Sequence, residues 1–212
     1  MPFRYQSVQT NYGGTYFRSK LEARWAAFFD AYGLQWHYEA ESFDLPSGTY
    51  IPDFWLSSLN VWVEVKPEYQ FADTDRYKEL VQQVEGPFIL IVGQPNFGQY
   101  CIRYFAVEEN ENLGLILQGQ FAQLNDNKRL WVADTNIGAM LRSGSRPNKI
   151  PKGLVHNSAH IVKCMEQANM HFDLNKEAAR RQGTTGSTGT DHGALTISYE
   201  NSIQNRDFYC IQ

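Results

Sequence analysis

The sequence predicts an α/β protein: a helix, three strands, a second helix and a buried central strand, then a β-hairpin and helix extension. Three stretches carry this expectation. From Ser19 to Tyr32, Leu21, Trp25, Phe28, Phe29 and Tyr32 recur near helical spacing. Tyr50–Leu56 and Val61–Val65 alternate on either side of Ser57-Ser58-Leu59-Asn60, the pattern of two strands joined by a tight turn. Phe88-Ile89-Leu90-Ile91-Val92 is a continuous apolar run, as in a strand buried on both faces.

Taken in order, residues 1–14 are polar, end in Gly13-Gly14 and read as a flexible lead-in. Ser19 is a capping residue for the first helix and Gly33 a C-terminal stop. Leu34–Phe43 alternates and reads as the first strand. His37 on it is a candidate general base, although a lone histidine on a strand more often serves structure. Asp73 to Val84 reads as the second helix, capped by Asp73 or Thr74, with Leu80, Val81 and Val84 as its buried stripe. Arg76 and Lys78 on it suit either a phosphate contact or a solvated face. After Gly86-Pro87 and the central strand, Gly93–Gly98 is a loop and Tyr100–Val107 another strand. Leu115–Leu124 and Arg129–Ala133 form the expected hairpin around Asn125-Asp126-Asn127.

Leu154 to Met170 reads as an amphipathic helix with Val155, Ala159, Val162 and Met165 inward. His156, His160 and Cys164 are four apart; zinc would need a fourth ligand such as His171, and the spacing matches no structural zinc pattern. Gln182–Gly193 is a low-complexity linker before a short tail. The expected plan is a core over 1–110, a basic extension over 111–182 and a flexible tail over 183–212.

Composition is that of an ordinary globular chain of 212 residues, enough for a sizeable core. No apolar run reaches membrane-spanning length and the first residues lack a signal-peptide pattern. Cys101, Cys164 and Cys210 are scattered, which favours a reducing cytoplasm over a disulfide scaffold. The net charge of −4 argues weakly against a nucleic-acid partner, but it is divided: −6 over residues 1–110, +4 over 111–182 and −2 over 183–212. The segment Arg142-Ser-Gly-Ser-Arg146-Pro-Asn-Lys149-Ile-Pro-Lys152 holds four basic residues and no acid. It fits a phosphate-backbone contact and an ordinary solvated loop equally well.

The chemistry concentrates in the hairpin. Centring its turn between Ser58 and Leu59 sets Asp53 opposite Glu64, with Trp62, Glu64 and Lys66 on one face and Val61, Val63 and Val65 on the other. Opposed like charges destabilise a sheet, where a favourable pair contributes roughly 0.2–1 kcal/mol. Two such carboxylates raise one pKa or capture a cation, and an oxygen-rich site suits Mg²⁺ or Mn²⁺. A solvated sheet face is the plainer alternative.

Pro52-Asp53, a short gap and Glu64-Val65-Lys66 resemble the PD-(D/E)XK nuclease signature. Phe17-Arg18-Ser19-Lys20-Leu21-Glu22 resembles the first-helix motif of the phage endonuclease I type of Holliday-junction resolvase and of related phage nucleases. The likeness spans residues 15–95. It implies a restriction-endonuclease-like αβββαβ core with a mixed central sheet and a Mg²⁺-dependent endonuclease acting on DNA. It further implies that Asp53, Glu64 and the Val65 carbonyl hold the metal, Glu22 completes the site or serves a second ion, and Lys66 acts on the attacking water or the transition state. Arg18, Lys20 and the basic loop (Arg142, Arg146, Lys149, Lys152) would contact DNA, and a homodimer would set two sites on two strands. Glu22 also completes a Ser19-x-x-Glu22 capping box, and sequence leaves both roles open. The rival from another class is a non-catalytic DNA-binding or assembly protein on a nuclease scaffold.

Overall fold

The computed structural model describes residues 7–69, 72–84, 86–107, 113–124, 130–133, 138–139 and 153–182. Within them the chain is a mixed α/β fold with three helices and a mixed central sheet. The basic loop and the tail lie outside the described residues.

The helix α1 (Lys20–Tyr32) forms where the apolar spacing placed it. Ser19 is its N-cap, its side chain accepting from the Glu22 N–H. Gly33, at φ 83°, closes the other end: its N–H reaches the Asp30 carbonyl at 2.9 Å and the Leu34 N–H reaches Phe29 at 2.8 Å. This paired closure needs a left-handed residue, which glycine supplies without steric cost.

The main sheet orders β12 (Gly138–Ala139), β11 (Leu130–Ala133), β10 (Leu113–Leu124), β9 (Tyr100–Val107), β8 (Phe88–Gly93), β7 (Val61–Lys66), β6 (Phe54–Leu56) and β3 (Trp36–Tyr38). A further strand, β13 (Leu154–His156), pairs with β10. Among the described strands only β7 and β8 run parallel, and between them the chain crosses over through α2 (Thr74–Val84). The apolar run therefore does become an interior strand, with Ile89 and Ile91 on one face and Phe88 and Leu90 on the other, all buried. The strands expected after residue 110 extend this same sheet.

Two layers cover it. On one face α1 and α3 (Ala159–Gln182) pack over Val61, Val63, Val65, Ile89, Ile91 and Ile102. Trp25, Phe28 and Phe29 are fully buried there; Phe28 stacks on Phe121 with centroids 5.4 Å apart, and the Trp25 indole N–H donates to the Gly93 carbonyl at 3.0 Å. On the other face lie α2 and a small hairpin of β4 (Phe43–Leu45) and β5 (Gly48–Tyr50). Among the described residues no helix is long and apolar enough to cross a membrane.

Four expectations need correction. The described end of the lead-in enters a hairpin, β1 (Thr10–Tyr12) with β2 (Thr15–Phe17), turning through Gly13 and Gly14 at positive φ. The strand expected over Leu34–Phe43 is broken into β3 and the first residue of β4, because Glu39 turns the chain at φ 46° and donates its N–H to the Asp53 carbonyl at 3.0 Å. Tyr50–Leu56 is two strands in two sheets: β5 pairs with β4, β6 with β3 and β7, and Ile51-Pro52-Asp53 bridges them, proline having no N–H to give a ladder. The helix expected from Leu154 begins at Ala159. Leu154–His156 is drawn into β-pairing with β10, and Asn157, at φ 44°, donates its N–H to the Phe121 carbonyl. The buried side of α3 is then Ile161, Cys164, Met165, Ala168 and Phe172, whereas Val155 and Ala159 are exposed.

Among Gly13, Gly14, Gly33, Gly48, Gly86, Gly93 and Gly98, a side chain has least room at Gly93. Its φ is 99°, and a Cβ there would lie 2.2 Å from the Gln99 carbonyl oxygen; at Gly98 φ is 69° with nothing within 4 Å. Left-handed strain alone costs roughly 1–2 kcal/mol. Gly93→Ala is expected to lose roughly 1–3 kcal/mol more than Gly98→Ala through the added backbone collision. Urea denaturation of the two variants checks this; equal losses would mean that the β8–β9 loop yields freely.

Candidate active site

The site grows from the hairpin register. Leu56 pairs with Val61, Trp55 with Trp62 and Phe54 with Val63, and one further step sets Asp53 opposite Glu64, as the turn position predicted. Two cross-strand bonds fix the pair beyond the ladder. The Val65 N–H donates to Asp53 Oδ2 at 2.8 Å, and the Asp53 N–H donates to Glu64 Oε2 at 3.3 Å. Asp53 is 2 % and Glu64 4 % exposed. The Tyr50 hydroxyl donates to Glu64 Oε2 at 2.7 Å, and the Lys66 ammonium pairs with Glu64 Oε1. The chain that splits Tyr50–Leu56 into two strands thus carries Tyr50 over Glu64 and Asp53 beside Val65.

Glu22, 7 % exposed, enters from the first turn of α1. Its N–H is capped by Ser19 Oγ at 3.2 Å, the Ser19 hydroxyl donates to Oε1 at 2.6 Å and the Tyr38 hydroxyl donates to Oε2 at 2.5 Å. Ser19 therefore does cap the helix, while the Glu22 carboxylate is held between two hydroxyls. Arg18 bridges the remaining edge: its guanidinium donates to Asp53 Oδ1 at 3.1 Å and pairs with Glu39 at 2.7 Å, its own N–H donates to the Tyr38 oxygen at 3.0 Å, and its side chain is 57 % exposed.

Burial pushes the Asp53 carboxyl well above its ordinary range, and the charges of Glu64 and then Glu22 push the same way, against the pull of Lys66 and the Val65 N–H. Burial also lifts the Tyr50 hydroxyl, helped by Glu64, so it stays a proton donor. Burial alone would lower the Lys66 pKa, but Glu64 and Asp53 together raise it, so Lys66 stays charged.

Glu22, Asp53, Glu64, Val65, Lys66 and Arg18 are brought together. Lys20 sets its ammonium over the Phe172 ring of α3, 5.8 Å from the centroid. Arg142, Arg146, Lys149 and Lys152 lie outside the described residues. His37 is exposed between Trp36 and Tyr38; since Tyr38 reaches Glu22, alternation turns His37 to the opposite side of the strand. His156 sits on β13 while His160 and Cys164 sit on α3, and the Cys164 thiol, 3.9 Å from His160 Nε2, also reaches the Ala31 carbonyl at 3.3 Å. Tyr38 and Tyr50 went unread in the sequence because each fits an alternating apolar pattern. The usable signal was that a buried phenol hydroxyl needs a partner.

Among the described residues, no three His, Cys, Asp or Glu side chains stand open to a metal ion together. Each of the six oxygens of Glu22, Asp53 and Glu64 accepts from a protein donor, two of them from the cations Arg18 and Lys66. No family model, curated protein or solved structure matches the chain.

The raised Asp53 pKa has a consequence for stability. Folded Asp53 holds its proton at pH values where the unfolded residue, near 3.8, has released it. The folded state then binds more protons, so stability contributed by this group falls as pH rises through that window, with a slope of at most about 1.4 kcal/mol per pH unit. Metal-free Asp53→Asn is expected to lose that slope and to match or exceed wild-type stability at neutral pH. Denaturation in EDTA from about pH 4 to about pH 8, upward from the ordinary carboxyl value, checks it; parallel pH profiles would overturn the assignment.

Proposed function

We propose that this protein is a metal-dependent endonuclease that hydrolyses DNA phosphodiester bonds on a restriction-endonuclease-like core. The observation that carries the reading is the buried cross-strand pair of Asp53 and Glu64 with Lys66 on Glu64 and Glu22 close enough to raise Asp53. A structural role alone accounts poorly for it, because taking each carboxylate out of water costs several kcal/mol, which pairing repays only in part. The succession α1, β3, β6, β7, α2, β8 supports the αβββαβ resemblance, with the β4–β5 hairpin as an insertion.

The donor set fits Mg²⁺ or Mn²⁺, which take carboxylate and carbonyl oxygens. Asp53 and Glu64 would hold the ion, joined by the Val65 carbonyl, which leaves β7 on the same edge as the N–H that meets Asp53. Glu22 would complete the site or serve a second ion. Bound there, the ion lowers the pKa of a coordinated water and neutralises charge on the phosphate. The remaining work belongs to the chain. Lys66 orients the attacking water or stabilises the charge of the transition state. Tyr50 fixes the rotamer of Glu64, and Ser19 and Tyr38 fix that of Glu22. Arg18, its guanidinium half-exposed beside Asp53, would be the residue that meets the DNA backbone.

The deciding experiment offers supercoiled plasmid, linear duplex, single strand and a four-way junction with Mg²⁺, Mn²⁺ or EDTA. Wild type is expected to cut at least one of them only with metal, Glu64→Ala and Asp53→Ala to cut none, and Lys66→Ala to be slower by about 10²–10³-fold. Preference for the junction would identify a structure-selective enzyme. Retained DNA binding without cleavage in every case would favour a non-catalytic scaffold instead.

The Arg18–Asp53 pair competes with the metal for Asp53 Oδ1. Arg18→Gln is expected to bind Mn²⁺ about tenfold more tightly, near the low end of what one charge-assisted bond is worth, as read by electron paramagnetic resonance titration without DNA. Unchanged or weaker Mn²⁺ affinity would place the ion away from that oxygen.

A further inference from the structure

We propose that Arg103 is a phosphate-binding residue for the DNA strand held in the site, an inference that rests on the nuclease reading. Arg103 lies on β9 opposite Leu90 of β8, and Leu90 lies opposite Glu64 of β7. The three residues form one row across the sheet. Their side chains share the face on which Trp62, Phe88, Leu90 and Phe105 are buried against α2, while Ile102 and Tyr104 point to the other face. Two strand spacings, about 10 Å, separate Arg103 from Glu64.

The surroundings of Arg103 are those of an anion site. It is 8 % exposed, its Nε has no hydrogen-bond partner, and among the described residues no carboxylate pairs with it. The guanidinium lies over the Tyr69 ring, its carbon 3.4 Å from the ring centroid. Tyr69 follows Lys66 by three residues and is tied by its hydroxyl to Thr74, the first residue of α2, at 3.1 Å. The segment that leaves the catalytic strand therefore carries the platform on which Arg103 rests. A guanidinium stacked on a ring keeps its N–H edge in one plane, the shape that meets two phosphate oxygens. A cation buried without a counter-charge is costly, and stacking on a tyrosine offsets only part of that cost. A phosphodiester of the bound strand, beyond the one that is cut, supplies the missing charge.

The test is steady-state cleavage by the full chain on its preferred substrate at several salt concentrations. Arg103→Gln is expected to raise KM about tenfold or more with little change in kcat, to do so equally for different sequences, and to lower the slope of log KM against log salt by about one. Arg103→Lys keeps the charge but not the two-pronged edge, and is expected to keep the slope while KM rises less. In ¹⁵N-labelled wild type, the Arg103 Nε–H resonance is expected to move when duplex is titrated in. Folded Arg103→Gln with wild-type KM and slope would overturn the assignment and leave the nuclease reading intact. If the substitutions unfold the chain, an Nε–H resonance indifferent to duplex overturns it. A wild type that cuts nothing in the presence of metal removes the nuclease reading, and this inference with it.

Discussion

The structure depends on the pair of bonds that cross between the start of β6 and the end of β7, from the Val65 N–H to Asp53 and from the Asp53 N–H to Glu64. They continue the hairpin past its last ladder pair at Phe54 and Val63, using side chains where main chain has run out. Their effect is to set two carboxylates side by side in the interior. A one-residue slip of register would turn Glu64 and Lys66 to the other face and put Val63 and Val65 in their place. Register is held against that slip by the apolar face itself, since Val61, Val63 and Val65 are buried under α1.

Much of this was legible. A four-residue turn and two alternating strands determine a pairing sum, and hence the Asp53–Glu64 juxtaposition, without any knowledge of the rest. Ser19 and Gly33 bounded α1 because capping is a local matter of hydrogen bonds and φ. The continuous run at Phe88 announced an interior strand because both its faces had to be apolar. These features share one property: the interactions that decide them lie within a few residues of chain.

The misreadings share the opposite property. Leu154–Met170 has a helical spacing that local reasoning accepts, but a pairing with β10, some thirty residues earlier, claims its first three residues. The long alternation from Leu34 hides a turn at Glu39 that is stabilised by a bond to Asp53, fourteen residues on. Tyr38 and Tyr50 look like members of apolar faces until the carboxylates they serve are brought to them by the sheet. Arg103 is harder still. Nothing in its sequence neighbourhood separates it from an exposed strand arginine, and only the arrival of Tyr69 from another connection makes it a buried cation.

The site is in this sense a balance struck by long-range geometry. Three buried carboxylates face two cations, Arg18 and Lys66, and three hydroxyls from Ser19, Tyr38 and Tyr50. Every oxygen is satisfied, so the metal-free fold can exist; burial and mutual repulsion still lift Asp53, so the balance is incomplete. Satisfied hydrogen bonds remove the cost of orphaned polar atoms but not the cost of like charges held close in low dielectric. The aromatic layer of Trp25, Phe28, Phe29 and Phe54 beneath the sheet supplies the rigidity that keeps these charges from drifting apart. A residual preference for one more positive charge at Asp53 is what a divalent ion would satisfy, and it arises from the placement of the carboxylates rather than from their number.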